Sequence, residues 1–237
     1  MPRTIGLANT SSTSGTPLNN KTYNEQSANG QRSLKSSSAN DTAAGTGARR
    51  VKVTYFAIDS SGVVTGPFSE IVTMNGTTAV PLVATNVCFI ERMDVVSVGS
   101  NNNAAGDITL YANNDGTGTA IAVLAASDNQ TFLGHHYVAT GARCKILDVQ
   151  VQGGDAAASL IFVKRQALPA ANQPDAVLLG PYSTSASLPV AAPTPGTMIA
   201  GPCRVRLIVI PPNNNAQTTV GSFGYVDEQN ILQGVSA

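Results

Sequence analysis

The chain has no tryptophan, only two histidines and three cysteines, and 12% charged residues across 237 positions. Each scarcity excludes something. Soluble domains average about 25% charged residues, so this surface must be built from uncharged polar groups. Asn, Ser, Thr and Gln supply it, together with 22 glycines. Net charge is zero, with 14 basic and 14 acidic side chains. Nucleic-acid binding uses dense basic patches with stacking aromatics, which this composition lacks. No run of about 18 apolar residues is present, so no membrane-spanning helix is expected. The opening Met-Pro-Arg-Thr has no apolar h-region, so no secretory signal is expected either. On that expectation the Asn-x-Ser/Thr triplets at Asn9, Asn20, Asn40, Asn75 and Asn129 are composition rather than glycosylation sites. Cys88, Cys144 and Cys203 are far apart with no paired spacing, and Cys203 falls on an apolar face. Free thiols in a reducing compartment are the expectation.

The charge that exists is unevenly placed. Residues 1–50 hold Arg3, Lys21, Arg32, Lys35, Arg49 and Arg50 against Glu25 and Asp41, a net of +4, which leaves −4 for the rest. Their large apolar or aromatic side chains besides Met1 are Ile5, Leu7, Leu18, Tyr23 and Leu34. So few cannot offset the cost of ordering the segment, about 1–2 kcal/mol per residue. The expectation is a long extended N-terminal arm over 1–50, ordered by contacts with a partner or a neighbouring copy.

From Val51 the pattern turns strand-like. Strands are expected over Val51–Asp59, Ser69–Met74, Val87–Val98, Ile108–Asn113, Ala120–Ala126, Gln130–Ala139, Arg143–Gln152, Ala157–Gln166, Cys203–Ile210 and Thr218–Val226. Ser60-Ser61-Gly62, Asn75-Gly76 and the stretch Asn114 to Gly118 read as turns, because these residues tolerate positive φ. Apolar parity switches after Ile146, which predicts a β-bulge. Turn signals every 8–12 residues point to a sandwich or barrel. No segment carries a sustained helical stripe; Asp227–Leu232 offers one turn at most. The predicted fold is all-β, an antiparallel β-sandwich preceded by the arm. The divisions are 1–50 arm, 51–86 hairpin and connection, 87–228 sandwich body with a Pro/Ala-rich excursion at 167–200, and 229–237 tail.

Candidate chemistry is sparse. His135 and His136 are adjacent in a strand, so they point to opposite faces and do not share one metal. No cysteine or carboxylate stands at ligand spacing from either. Asp107, Asp115 and Asp128 flank loops that can converge at one end of a sandwich, but Asp beside Gly and Asn is first a turn former. Asn113, Asn114 and Asp115 offer clustered oxygens to a calcium ion, without an EF-hand pattern. Asp115-Gly116-Thr117-Gly118 is not a phosphate loop, since no Lys-Ser/Thr or helix follows. Lys164-Arg165 and Arg204 with Arg206 read as outward strand residues. Tyr55, Phe56, Phe68, Phe89, Phe132 and Phe162 read as core. The expectation is no enzyme, no cofactor, no metal site and no catalytic residue.

One stretch carries a family pattern. Residues 93–165, with Tyr137-Val138-Ala139-Thr140-Gly141 and the closing Leu160-Ile161-Phe162-Val163-Lys164-Arg165, resemble small jelly-roll-like β-sandwich virion proteins of tailed bacteriophages. The resemblance covers about a third of the chain. It implies a virion role: capsid decoration or cement, head fibre, or tail and baseplate structure.

With the arm, this leads to an expected capsid decoration protein, a homotrimer made in the host cytoplasm and placed on the capsid exterior. The arm would clamp the major capsid protein, with Ile5, Leu7, Leu18 and Tyr23 as apolar pegs and Arg3, Lys21, Arg49 and Arg50 meeting acidic surface. Neither nucleic acid nor membrane is an expected partner. The alternative is a tail, adaptor or receptor-binding component contacting host glycan through loops 99–106 and 113–119. The absent tryptophan counts against a sugar-stacking platform.

Overall fold

Val51, Val53 and Tyr55 alternate with Lys52 and Thr54, and this period of two sends the first set into a core and the second outward. The same rule builds the whole molecule. The computed structural model describes residues 3–10, 16–17, 21–153, 160–168, 176–183, 190–193, 198–210 and 217–228. Among them all regular structure is β, with no helix, and every pairing between strands is antiparallel.

In chain order the strands are β1 (Arg3–Thr10), β2 (Thr16–Pro17), β3 (Ser33–Ser36), β4 (Ala48–Ile58), β5 (Val64–Thr73), β6 (Val80–Pro81) and β7 (Phe89–Val98). They continue as β8 (Ile108–Tyr111), β9 (Ala120–Leu124), β10 (His135–Val138), β11 (Arg143–Gly153), β12 (Leu160–Ala167) and β13 (Ala176–Ser183). The last four are β14 (Val190–Pro193), β15 (Met198–Ala200), β16 (Cys203–Ile210) and β17 (Gln217–Glu228). They divide between two compact units, one formed by 1–19 with 133–237 and the other by 20–132.

The continuous unit, 20–132, has a sheet of order β6-β3-β8-β9 and a sheet of order β5-β4-β7. Both contribute to one core: Leu34, Ile108, Leu110, Ile121 and Leu124 from the first, Val51, Val53, Val72, Ile90 and Met93 from the second. It is a β-sandwich. The discontinuous unit has a sheet of order β1-β17-β11-β14, with β15 also on β11, and a sheet of order β10-β16-β12-β13, with β2 on β16. Cys144, Ile146 and Val149 of β11 meet Val138, Val163, Cys203, Val205, Leu207 and Val209 of the other sheet in a second core. This too is a sandwich.

Local signals held where the chemistry is local. Gly116 and Gly118 take φ of 79° and 80° in the β8–β9 hairpin, and Gly62 takes 81° between β4 and β5. Gly76 takes 59° after β5. The register of β11 on β17 shifts between Ile146 and Asp148, where the parity switch predicted a bulge. Cys203–Ile210 is a strand with the bounds expected.

Several divisions are corrected. The expected body over 87–228 is not one sandwich: its first part, to 132, closes a sandwich with residues 20–86. The excursion 167–200 contains β13, β14 and β15. Phe68, on the edge strand β5, is 41% exposed and not core, and its ring leans on Tyr55 with centroids 5.8 Å apart. The arm reading fails over 21–50, since β3 lies inside a sheet and Arg32, Ser33, Leu34, Ser36, Asp41 and Ala48 are buried. Its physical reason is polar rather than apolar. The Asp41 carboxylate accepts from Ser36 Oγ (2.5 Å), Ala48 N (2.6 Å), Ala105 N (2.9 Å) and Gly106 N (3.0 Å). Arg32 donates to the carbonyls of Val87 (3.1 Å), Ala112 (2.7 Å) and Ala28 (2.6 Å). Buried charge that is fully hydrogen-bonded can order a segment that has little apolar surface of its own.

Candidate functional site

Two features of the discontinuous unit stand out. The first is how residues 3–10 and 16–17 are held. β1 pairs with β17 over the full register from Arg3 opposite Gly224 to Thr10 opposite Gln217, as the edge strand of its sheet. β2 pairs with β16, through Thr16 opposite Val209 and Pro17 opposite Ile208, in the other sheet. One short segment therefore adds a strand to each layer of the sandwich.

The second is a side-chain cluster between those layers. His136 shares its face of β10 with the core residue Val138, and it lies opposite Val205 on β16. Cys144 and Asp227 lie directly opposite each other on β11 and β17. Tyr225, two residues before Asp227, is on the same face, and its ring stacks on His136 at 3.8 Å and 23°. His136 Nε2 is 2.8 Å from Asp227 Oδ1. Cys144 is fully buried, His136 is 4% exposed, and the Asp227 side chain is 38% exposed. The ligand-capable atoms of all three lie within 4.8 Å of one another.

No cysteine or carboxylate stands at ligand spacing from a histidine in the sequence, yet the fold brings one of each to His136. His136 and Asp227 are 91 positions apart and come from facing sheets, so no spacing rule reaches them. The usable signal was parity, because His136 shares a face with Val138 and Cys144 with Ile146. The opposite orientation of the two histidines holds. His135 is nevertheless buried at 2%, and it meets the Tyr137 ring edge-on at 5.0 Å. None of the three cysteines is in a disulfide, and all three are buried.

The residues assigned to a partner are distributed as follows. Arg3, Ile5 and Leu7 lie in β1, opposite Gly224, Ser222 and Val220. Leu18 lies outside the described residues. Lys21 Nζ is 3.3 Å from Asp107 Oδ2, and Tyr23 bridges to Ala122 and packs against the core of the 20–132 unit. Arg49 Nε donates to Gly45 O at 3.0 Å. These three are engaged within their own unit, whereas Arg50 is exposed.

The loop carboxylates cap loops. Asp107 Oδ1 accepts from Ala126 N at 2.8 Å. Asp115 Oδ1 accepts from Thr117 N (3.0 Å) and Oγ1 (2.5 Å), and the Thr117 hydroxyl bond leads in holding its pKa below the ordinary value. Asn113 Nδ2 donates to Thr117 Oγ1 within the loop, and Asn114 Nδ2 donates to Gln31 Oε1, 83 positions away. Loop 99–106 precedes β8 and loop 113–119 follows it, so the two occupy opposite ends of that strand. Asp107 and Asp115 are separated in the same way. Comparison with protein families, with characterised proteins and with solved structures finds no match to this chain.

Proposed function

We propose that this chain is a structural virion protein of a tailed bacteriophage, a capsid decoration or cement protein that joins major capsid subunits as a homotrimer on the capsid exterior. One observation carries the reading: residues 3–10 pair with β17 in one sheet of the sandwich, and residues 16–17 pair with β16 in the other. Such a ladder is made of backbone hydrogen bonds and needs no particular side chains. A copy that lends β1 to a neighbour's β17 forms the same ladder, so assembly costs little beyond ordering. Three copies multiply weak contacts to the shell through avidity. Arg50 on the 20–132 unit remains as an exposed cation for acidic shell surface.

The alternative, a tail, adaptor or receptor-binding component, needs a loop surface for glycan. Loops 99–106 and 113–119 lie at opposite ends of β8, so only one of them can serve any one surface. This favours decoration.

Quantitative mass spectrometry of purified particles tests the reading. A copy number comparable to the major shell protein is expected; a small fraction of it favours the tail reading, and absence from particles ends both. Removing residues 2–19 should abolish particle binding, and a peptide spanning 1–19 added in trans should fill the β17 edge without restoring it, because it links no two copies. Binding that survives the deletion would overturn the strand-lending mechanism.

A further inference from the structure

We propose that His136 Nε2, Cys144 Sγ and the Asp227 carboxylate form a binding site for a borderline divalent transition metal, typified by zinc, with water as the fourth ligand. The donor set comes first. One nitrogen, one sulfur and one oxygen are what zinc takes, while calcium and magnesium prefer all-oxygen shells. Charge comes second. A thiolate and a carboxylate balance a divalent ion, and the imidazole is neutral, so the loaded site carries no net charge where two of its three ligands are buried.

Geometry is the third argument. Tetrahedral zinc with bonds of about 2.0–2.3 Å places its donors about 3.3–3.8 Å apart. The donors here already lie within 4.8 Å of one another. The His136–Asp227 contact of 2.8 Å must open by about half an ångström, and no other pair need close by more than about 1.5 Å. Side-chain torsions suffice for both. Cys144 and Asp227 stand opposite each other in the β11–β17 ladder, so their Cα positions are fixed, and the Tyr225 ring fixes the plane of the imidazole. The exposed end of Asp227 leaves an entry path and room for the water. A metal held there would tie β10 in one sheet to β11 and β17 in the other, and β17 is the strand that accepts β1.

The full-length chain, stripped with a chelator, is titrated with cobalt(II) and then with zinc. Expected are a thiolate-to-cobalt charge-transfer band with the intense visible bands of a four-coordinate ion, saturation at one metal per chain, and loss of the bands as zinc displaces cobalt. Cys144→Ser should abolish the band, while Cys88→Ser and Cys203→Ser should keep it. Asp227→Asn should weaken zinc binding by about 10-fold or more, since even partners outside the ligand set are worth that much. No band, or a band that survives Cys144→Ser, would overturn the proposal. Should that variant fail to fold, Asp227→Asn at the exposed end decides, and unchanged zinc affinity in it overturns the site.

Discussion

Ser36 Oγ donates to Asp41 Oδ2 at 2.5 Å, in a position where the carboxylate has no solvent exposure. Three backbone N–H groups converge on the same two oxygens, from Ala48, Ala105 and Gly106. The carboxylate thus joins loop 37–47 to loop 99–106, and Gly47 beside it has no room for a side chain.

Asp41→Asn tests this arrangement. The amide nitrogen carries two donors where the native site supplies donors only, so at least one buried N–H is left unmatched. A loss of about 2–3 kcal/mol is expected, read by urea denaturation with an unchanged slope. A variant within about half a kcal/mol of the native chain would refute the role given to Asp41.

Arg32→Lys probes the second buried ion. Its guanidinium reaches three carbonyls in a fixed fork, and an ammonium cannot reproduce that geometry. Destabilisation of about 1–3 kcal/mol is expected despite the conserved charge. Equal stability of the two would show that charge alone suffices.

Cys88 offers a pH test. Burial pushes its thiol up to about 12 from 9.0; Arg32 pulls it back and Glu25 adds to the rise. The folded pKa is the higher one, so on raising the pH the unfolded chain ionises first. Stability is therefore lost progressively between 9.0 and about 12. Cys88→Ala should make that alkaline decline shallower. Native Cys88 should also resist thiol reagents until the chain unfolds, and prompt labelling in the folded protein would contradict the burial.

Asp94 has the same sign in a lower pH window. Burial raises its pKa above 3.8, opposed by Arg92, whose Nε lies 2.9 Å from Oδ2, and by Lys52. As pH rises past 3.8, the unfolded chain ionises before the folded one, so the folded state is penalised at neutral pH and relieved in acid. Asp94→Asn should therefore raise the melting temperature near neutral pH and change it little below 3.8. A lowered neutral-pH melting temperature would mean that the Arg92 pair outweighs desolvation.

These sites mark where sequence reading ends. The hairpin at 113–118, the bulge after Ile146 and the strand Cys203–Ile210 were legible because turn residues and a period of two act over neighbouring positions. Asp41 was not, for it meets Ala105 and Gly106 64 and 65 positions away, and its contribution is polar. An apolar count over 1–50 therefore missed what orders 21–50. The division into two sandwiches was hidden for a related reason. No linker composition marks the boundary near 132, and nothing local in 3–10 announces its pairing with 217–224. His136, Cys144 and Asp227 meet only once two facing sheets are in place.

That pairing has a consequence for how the molecule is made. Residues 20–132 form an uninterrupted unit, able to complete itself while the ribosome is still producing the rest. The discontinuous unit must wait, because β1 is made before residues 20–132 and its ladder partner β17 after them. During that interval the earliest strand is unmatched, and a β17 on a neighbouring nascent chain offers it the same hydrogen bonds. The order of synthesis therefore favours exchange between copies translated side by side.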